Sequence, residues 1–171
     1  QVHYKEKVFN SKISKRSIDN FIKQLDPFKT MFLEKEVNDF INKGHLELER
    51  SLPKAKCDFI GSIYGLYLSR FEVLSEETKK LLKGEFDFTK DEYLSIDRKK
   101  LLYPKNMQEV KDRWRKKLKY QYMLLQEELK NKTKVKEKLK KNLELEVKRN
   151  MEDSKEGTVY ANFLYAFARA L

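Results

Sequence analysis

Apolar residues recur at intervals of three and four along almost the whole chain, and no stretch alternates convincingly with period two. This spacing is typical of amphipathic helices, because a strand would require alternation. The chain has only 5 Gly and 3 Pro among 171 residues, and 38% of its residues are charged, which also argues against a turn-rich β architecture. The pattern predicts an all-α fold, an irregular bundle of roughly six to eight amphipathic helices in a single domain over residues 1–171.

Capping residues and breakers predict the first two helices. Ser14 is the predicted N-cap of a helix that runs to Leu25 and stops at Asp26-Pro27, because proline disfavours a helical conformation in the residue before it. Its apolar face carries Ile18, Phe21 and Ile22. A second, short helix through Glu36 to Lys43 is predicted to end at Gly44, a suitable residue just beyond a helix C-terminus.

Further signals divide the rest of the chain. A helix is predicted from Pro53 to Lys83, in which Gly61 and Gly65 allow another helix to approach closely. Thr89 with Glu92 predicts a capping box for a helix that ends near Tyr103. The remaining predicted starts are Asn106 with Glu109, Thr133, and the region near Ser154. The last helix, with Tyr160, Phe163, Leu164, Phe167 and Leu171, is the most apolar, so we expect it to be the best covered.

The sequence carries no recognisable catalytic, metal or cofactor site. His3, His45 and Cys57 are not paired at ligand spacing, and a single cysteine excludes an internal disulfide. The glycines at 61 and 65 lack the Lys-Ser/Thr of a phosphate-binding loop. Trp114 lies in the clearest apolar stripe, with Met107, Val110, Leu118, Leu125 and Leu129, so we expect it in the core.

Positive charge is concentrated in one half of the chain. The range Arg98 to Arg149 holds 19 Lys and Arg against 7 Asp and Glu, whereas the remainder holds 19 against 20. Lys116, Lys117 and Lys119 form a candidate basic patch that faces a partner. The residues from Gln1 to Lys7 have no apolar stretch of a signal peptide, and no run approaches the ~20 apolar residues of a membrane span.

Several motifs together resemble the N-terminal helical domain of the tail-specific proteases, the C-terminal processing peptidases. The resemblance rests on these residues, in order: His3-Tyr4, Ser14, Ile18, Phe21-Ile22, Leu25-Asp26-Pro27-Phe28-Lys29-Thr30-Met31-Phe32-Leu33, Phe86-Asp87-Phe88, Glu92, Asp97-Arg98, Trp114-Arg115, Lys119 and Ala166-Phe167-Ala168-Arg169-Ala170-Leu171. It covers essentially the whole chain. Asp26, Pro27, Phe32, Leu33, Trp114 and Arg115 are the family-motif residues to which it assigns structural or interdomain roles. Tyr165 departs from the pattern, which has asparagine there.

The resemblance implies a periplasmic protease that acts on the C-terminal regions of protein substrates. Its serine–lysine dyad and a PDZ domain would lie in other parts of the same polypeptide, so this fragment would be non-catalytic and form part of the wall around the substrate chamber. In some members this region also docks a helical-repeat adaptor lipoprotein. The residues alone leave two alternatives open: a basic module for nucleic acid or an anionic surface, using Arg98 to Arg149, and an unrelated helical interaction module. We expect no specific nucleic-acid binding.

Overall fold

The computed structural model describes residues 10–51, 58–95 and 97–171, and in these ranges it contains six helices and no strand. The helices are α1 (Ser11–Leu25), α2 (Glu34–Ser51), α3 (Asp58–Lys83), α4 (Met107–Leu129), α5 (Lys132–Asp153) and α6 (Glu156–Ala168). The predicted all-α bundle is confirmed. No helix in the described ranges combines the length and the apolar character needed to cross a membrane. Pro53 and the His3-Tyr4 pair lie outside the described residues.

The first helix begins earlier than predicted. Asn10 is its N-cap, and the Asn10 side-chain oxygen accepts the backbone N–H groups of Lys12 at 3.0 Å and Ile13 at 3.1 Å. The prediction of Ser14 as the cap is wrong, because Ser14 is buried one turn further along and its hydroxyl donates to the Asn10 carbonyl at 3.0 Å. The apolar face predicted for this helix is confirmed by the complete burial of Phe21 and Ile22.

Gly44 lies inside α2 and does not end it, so that prediction is wrong. The ring of Phe59 in α3 occupies the space where a side chain would stand, and a Cβ on Gly44 would lie 1.9 Å from Phe59 Cζ. Gly61 and Gly65, which were expected to allow this close approach, are exposed and have no neighbouring atom within 4 Å of such a Cβ. The close contact between α2 and α3 at a glycine therefore occurs at Gly44, where the Phe59 ring lies against the backbone.

The segment of residues 84–106, here called the connecting segment, links α3 to α4 without forming a helix in its described part. The predicted capping box at Thr89 and Glu92 is wrong. Asp87 instead accepts the backbone N–H of Thr89 at 2.9 Å and its hydroxyl at 2.6 Å, which is a local turn. Glu92 is bound by side chains of α4, so its carboxylate does not return to the backbone of Thr89.

Side-chain caps fix the starts of both helices of the α4–α5 hairpin. The Asn106 side chain accepts the N–H of Glu109 at 3.0 Å, as predicted, and the Glu109 carboxylate accepts the N–H of Lys105 at 2.9 Å. At the other end, Lys130 adopts a left-handed conformation with φ of 50°. Asn131 then caps α5 by accepting the N–H of Lys134 at 3.0 Å, so the prediction of Thr133 as the cap is wrong.

Two apolar clusters organise the bundle. The main core joins α1, α2, α3 and α6 to the adjoining parts of α4 and α5. The hairpin core lies between the end of α3 and the far half of the α4–α5 hairpin, and its buried residues are Leu82, Leu118, Tyr122, Val135 and Leu139. The last helix buries Phe163 against Phe21 but leaves Leu164 42% and Tyr165 62% exposed. The expectation that it would be the best-covered helix is therefore wrong, because only one of its faces meets the main core.

Candidate functional site: the Asp26 loop and the face of α4

The family-motif segment forms a tight loop around one buried carboxylate. We call residues 26–33 the Asp26 loop. Asp26 is only 2% exposed. Its two carboxylate oxygens accept the backbone N–H groups of Thr30 at 2.7 Å, Met31 at 2.8 Å and Phe32 at 3.1 Å. Because these donors would otherwise be unsatisfied, Asp26 fixes the conformation of the loop. Its two oxygens are occupied by these three hydrogen bonds.

Charged side chains from α2 and α3 fix the far end of the Asp26 loop. Arg70 donates to the Met31 carbonyl at 2.7 Å and to Glu36 at 2.8 Å. The second oxygen of Glu36 accepts the backbone N–H of Leu33 at 2.7 Å. Phe32 is fully buried. The loop is therefore bound by α2 and α3 through both its backbone and its side chains.

The near end of the loop is bound to α4 and to the connecting segment. Arg113 donates to the carbonyl groups of Lys29 at 2.7 Å and Leu102 at 2.8 Å. Lys29 has a left-handed backbone with φ of 51°, and its ammonium group donates to the Leu101 carbonyl. The backbone N–H of Glu34 donates to the Pro104 carbonyl at 2.9 Å. The Asp26 loop thus joins α1, α2, α3, α4 and the connecting segment at one place. Pro27, at its surface, is exposed.

Trp114 lies where α3 and α4 meet. It is 6% exposed, its ring stands edge-on to Phe71 with centroids 6.5 Å apart, and its indole N–H donates to the Thr78 hydroxyl at 2.8 Å. The expected core position is confirmed. A buried indole requires such a partner, because an unsatisfied N–H costs free energy in an apolar environment.

Arg115 and Lys119 bind the connecting segment to α4 through a shared carboxylate. Arg115 donates to both oxygens of Glu92, and Lys119 donates to one of them at 2.6 Å. Arg115 also pairs with Asp112 at 2.8 Å. Hydrogen bonds from Arg115 and then Lys119 lower the pKa of Glu92 to about 2, so this carboxylate stays charged over the physiological range.

The predicted basic patch consists of lysines whose ammonium groups are already engaged. Lys116 pairs with Asp112 at 2.8 Å and Lys119 pairs with Glu92. Lys117 extends inward, its ammonium group 4.6 Å from the Trp114 ring centroid, and burial lowers its pKa. These three residues do not form a group of free cations at the surface. A partner-facing role for them remains a prediction.

Next to these lysines lies a cleft that sequence reasoning missed. It has a volume of about 400 Å³ and lies between α4 and the connecting segment. Phe88 and Tyr93 from the segment and Tyr120 and Met123 from α4 line it, and all four side chains are at least 39% exposed. Tyr120 lies beside lysines in the sequence. Its aromatic neighbour Tyr93 comes from a segment predicted to be helical, and Phe88 comes from the residues just before that segment.

Among the described residues, no group of three or more His, Cys, Asp or Glu is arranged to hold a metal ion. His45 lies in α2, whereas His3 and Cys57 lie outside the described residues. The carboxylates described above accept hydrogen bonds from the chain itself. The site is thus a set of fixed polar contacts with a partly apolar cleft beside it.

Two comparisons with known proteins bear on this site. The family model described as the tail specific protease N-terminal domain matches residues 1–171. A tail-specific protease from Haemophilus influenzae is 25% identical over 171 residues, which is 100% of this chain. The chain spans 24% of the length of that relative.

Proposed function

The chain belongs to the family of tail-specific protease N-terminal domains, and we propose that it works as a non-catalytic, single helical domain within a longer protease. In this proposal it forms part of the wall of the chamber that receives protein substrates. The PDZ domain and a serine–lysine dyad belong to other parts of the same polypeptide. The family match across residues 1–171 is the observation that carries the proposal.

The way in which the family-motif residues are used supports a scaffolding role. Asp26, Phe32 and Trp114 are buried, and Arg115 is occupied by two carboxylates. A residue that contacts substrate must be reachable, whereas these side chains fix the relative positions of five elements. A wall requires this kind of stiffness, because it must confine a polypeptide without reacting with it.

The setting and partners of the longer protein are proposals that rest on the family resemblance. We propose a periplasmic location and a helical-repeat adaptor lipoprotein as a further partner. The exposed apolar side chains on α4 and the connecting segment suit a surface that meets another protein, because such patches favour protein contacts.

The proposal is tested in the full-length protease by replacing Asp26 with alanine. This change leaves three backbone N–H groups of the Asp26 loop without an acceptor, so the wall should loosen. We expect hydrolysis of a short peptide to continue, while the length distribution of products from an unfolded protein changes in mass spectrometry. Lys140→Ala, on the exposed face of α5, is the control.

Two results would count against a wall. One is an unchanged product distribution in an Asp26→Ala enzyme whose domain has demonstrably loosened by hydrogen exchange. The other is peptidase activity of the purified 171-residue chain alone, which would make the domain catalytic.

Binding of nucleic acid is the competing function, and the charge of the range Arg98 to Arg149 motivates it. We propose that such binding is only nonspecific, with Kd no tighter than about 10⁻⁶ M at physiological salt. The engagement of Lys116, Lys117 and Lys119 within the chain supports this view. Nanomolar, sequence-dependent binding in an anisotropy titration would favour the competing function.

A further inference from the structure

A second cleft, distant in sequence from the basic patch, collects cations from four parts of the chain. It has a volume of about 590 Å³ and lies beside the Asp26 loop. Its cations are Lys23 at the end of α1, Lys29 in the Asp26 loop, Arg98 and Lys99 in the connecting segment, and Arg169 at the end of α6. We call it the basic cleft.

Several of these cations have no carboxylate partner. In the described ranges, no acidic side chain lies within ion-pair distance of Arg98, Lys99 or Arg169. Lys23 pairs with Asp19 at 2.5 Å, and Lys29 donates to a carbonyl oxygen. The one carboxylate in the lining is Asp26, whose oxygens already accept three backbone N–H groups.

The positive charge exceeds what the fold itself neutralises. The C-terminal ends of α1 and α6 lie at this cleft, and each helix end carries about half a negative charge. Asp19 and Asp26 add two negative charges against five cations. About two positive charges therefore remain, and a concave surface concentrates their field.

The cleft is also held in shape before any ligand binds. The Asn20 amide donates to the Ala166 carbonyl at 3.2 Å and so joins α1 to α6. The Arg98 guanidinium lies 4.2 Å from the centroid of the Phe28 ring, which orients it without using its N–H donors on a carboxylate. Within residues 10–51, 58–95 and 97–171, no carboxylate engages these donors, so they can bind a planar, bidentate acceptor.

We propose that the basic cleft binds an acidic peptide segment, with glutamate or aspartate side chains on Arg98, Lys99 and Arg169. Carboxylates match the guanidinium geometry, and the exposed Tyr165 and Pro27 offer apolar surface to the intervening side chains. A single exposed tyrosine in the lining does not provide a stacking surface for successive nucleic-acid bases. This inference does not depend on the wall function.

The test is fluorescence anisotropy of the 171-residue chain with a labelled peptide of alternating Glu and Ala. We expect saturable binding that weakens as NaCl is raised, and no binding of the matched Gln-Ala peptide. The double variant Lys99→Gln with Arg169→Gln should raise Kd about tenfold, because each substitution removes one solvent-exposed ion pair with the peptide. Lys140→Gln with Lys141→Gln, on the exposed face of α5, removes the same charge elsewhere and should leave Kd unchanged.

Three outcomes would overturn the proposal. They are equal binding of the Gln-Ala peptide, equal loss in both double variants, and preferential binding of inorganic polyphosphate or anionic vesicles through Lys99 and Arg169. Circular dichroism confirms that each variant is folded. Because binding is measured without proteolysis, a negative result here leaves the wall function untouched, and a failed wall test leaves the basic cleft untouched.

Discussion

The main core and the hairpin core differ in what fills them and in what surrounds them. The main core contains stacked and edge-on aromatic rings, among them Phe21, Phe32, Phe71 and Trp114. The hydrogen bonds of the Asp26 loop lie beside these rings. The hairpin core is formed by the five residues given above and lies in the lysine-rich part of the chain. A small core surrounded by solvated charge opens at lower free energy, so the two regions should unfold separately.

The largest expected effects come from emptying each core in turn. Trp114→Ala removes a buried ring and leaves the Thr78 hydroxyl without its donor, and should lower the free energy of unfolding by about 3–5 kcal/mol. Leu139→Ala, in the hairpin core, should cost about 2–3 kcal/mol. Denaturant melts measure both changes.

Hydrogen exchange then shows whether the two cores are independent. Leu139→Ala should speed exchange mainly in α5 and the second half of α4, whereas Trp114→Ala should speed it throughout the bundle. Uniform acceleration by both variants would mean that the two clusters form one cooperative unit.

A smaller effect on stability is expected from replacing glycines in α2 and α3, where close packing and helix propensity act in opposite directions. Gly44→Ala would place a Cβ on the Phe59 ring, and the shift this forces should cost about 1–3 kcal/mol. Gly61→Ala meets no neighbouring atom, so it should stabilise the protein by about 0.5–1 kcal/mol through helix propensity. Thermal melts of the two variants should shift in opposite directions, and a shift in the same direction would contradict the packing assigned to Gly44.

The smallest effect concerns the ion pairs outside both cores. The fold lowers the pKa of Glu92 from 4.5 to about 2, so folding favours the carboxylate form. Its contribution to stability is complete above pH 4.5 and is lost as the pH falls towards 2. Glu92→Gln should therefore flatten this part of the stability profile in denaturant melts. In a chain that already carries Arg115→Gln, Glu92→Gln should change the stability profile less than it does in the unmodified chain. If the two changes were equal, Arg115 would not be the cause of the lowered Glu92 pKa.

Local signals predicted the elements whose contacts are local. The stripe through Trp114 and the cap formed by Asn106 and Glu109 involve residues within a few turns of one helix, so periodicity and capping rules were sufficient. Asp26-Pro27 likewise predicted the end of α1.

The wrong caps at Ser14 and Thr133 are local errors, because Asn10 and Asn131 nearby take that role. The other errors arise where a residue distant in sequence determines the structure. Thr89 and Glu92 match a capping box, but Arg115 binds Glu92 from 23 positions away and the segment does not form a helix. Gly44 resembles a helix end until Phe59 approaches it from α3. The basic cleft could not be predicted either, because Arg98 and Arg169 meet only through the packing of α6 on α1.

The connecting segment also bears on how the length of this chain can change. Besides the contacts near its ends, it meets α4 through Glu92 and through Phe88, whose ring centroid lies 6.0 Å from that of Tyr122, while Thr89 and Lys90 are exposed. Lengthening a flexible loop is inexpensive, since doubling its length adds only about 0.6 kcal/mol of closure entropy. Residues inserted between Thr89 and Lys90 should therefore leave the helices in place, which makes this position suitable for a reporter or an additional binding module.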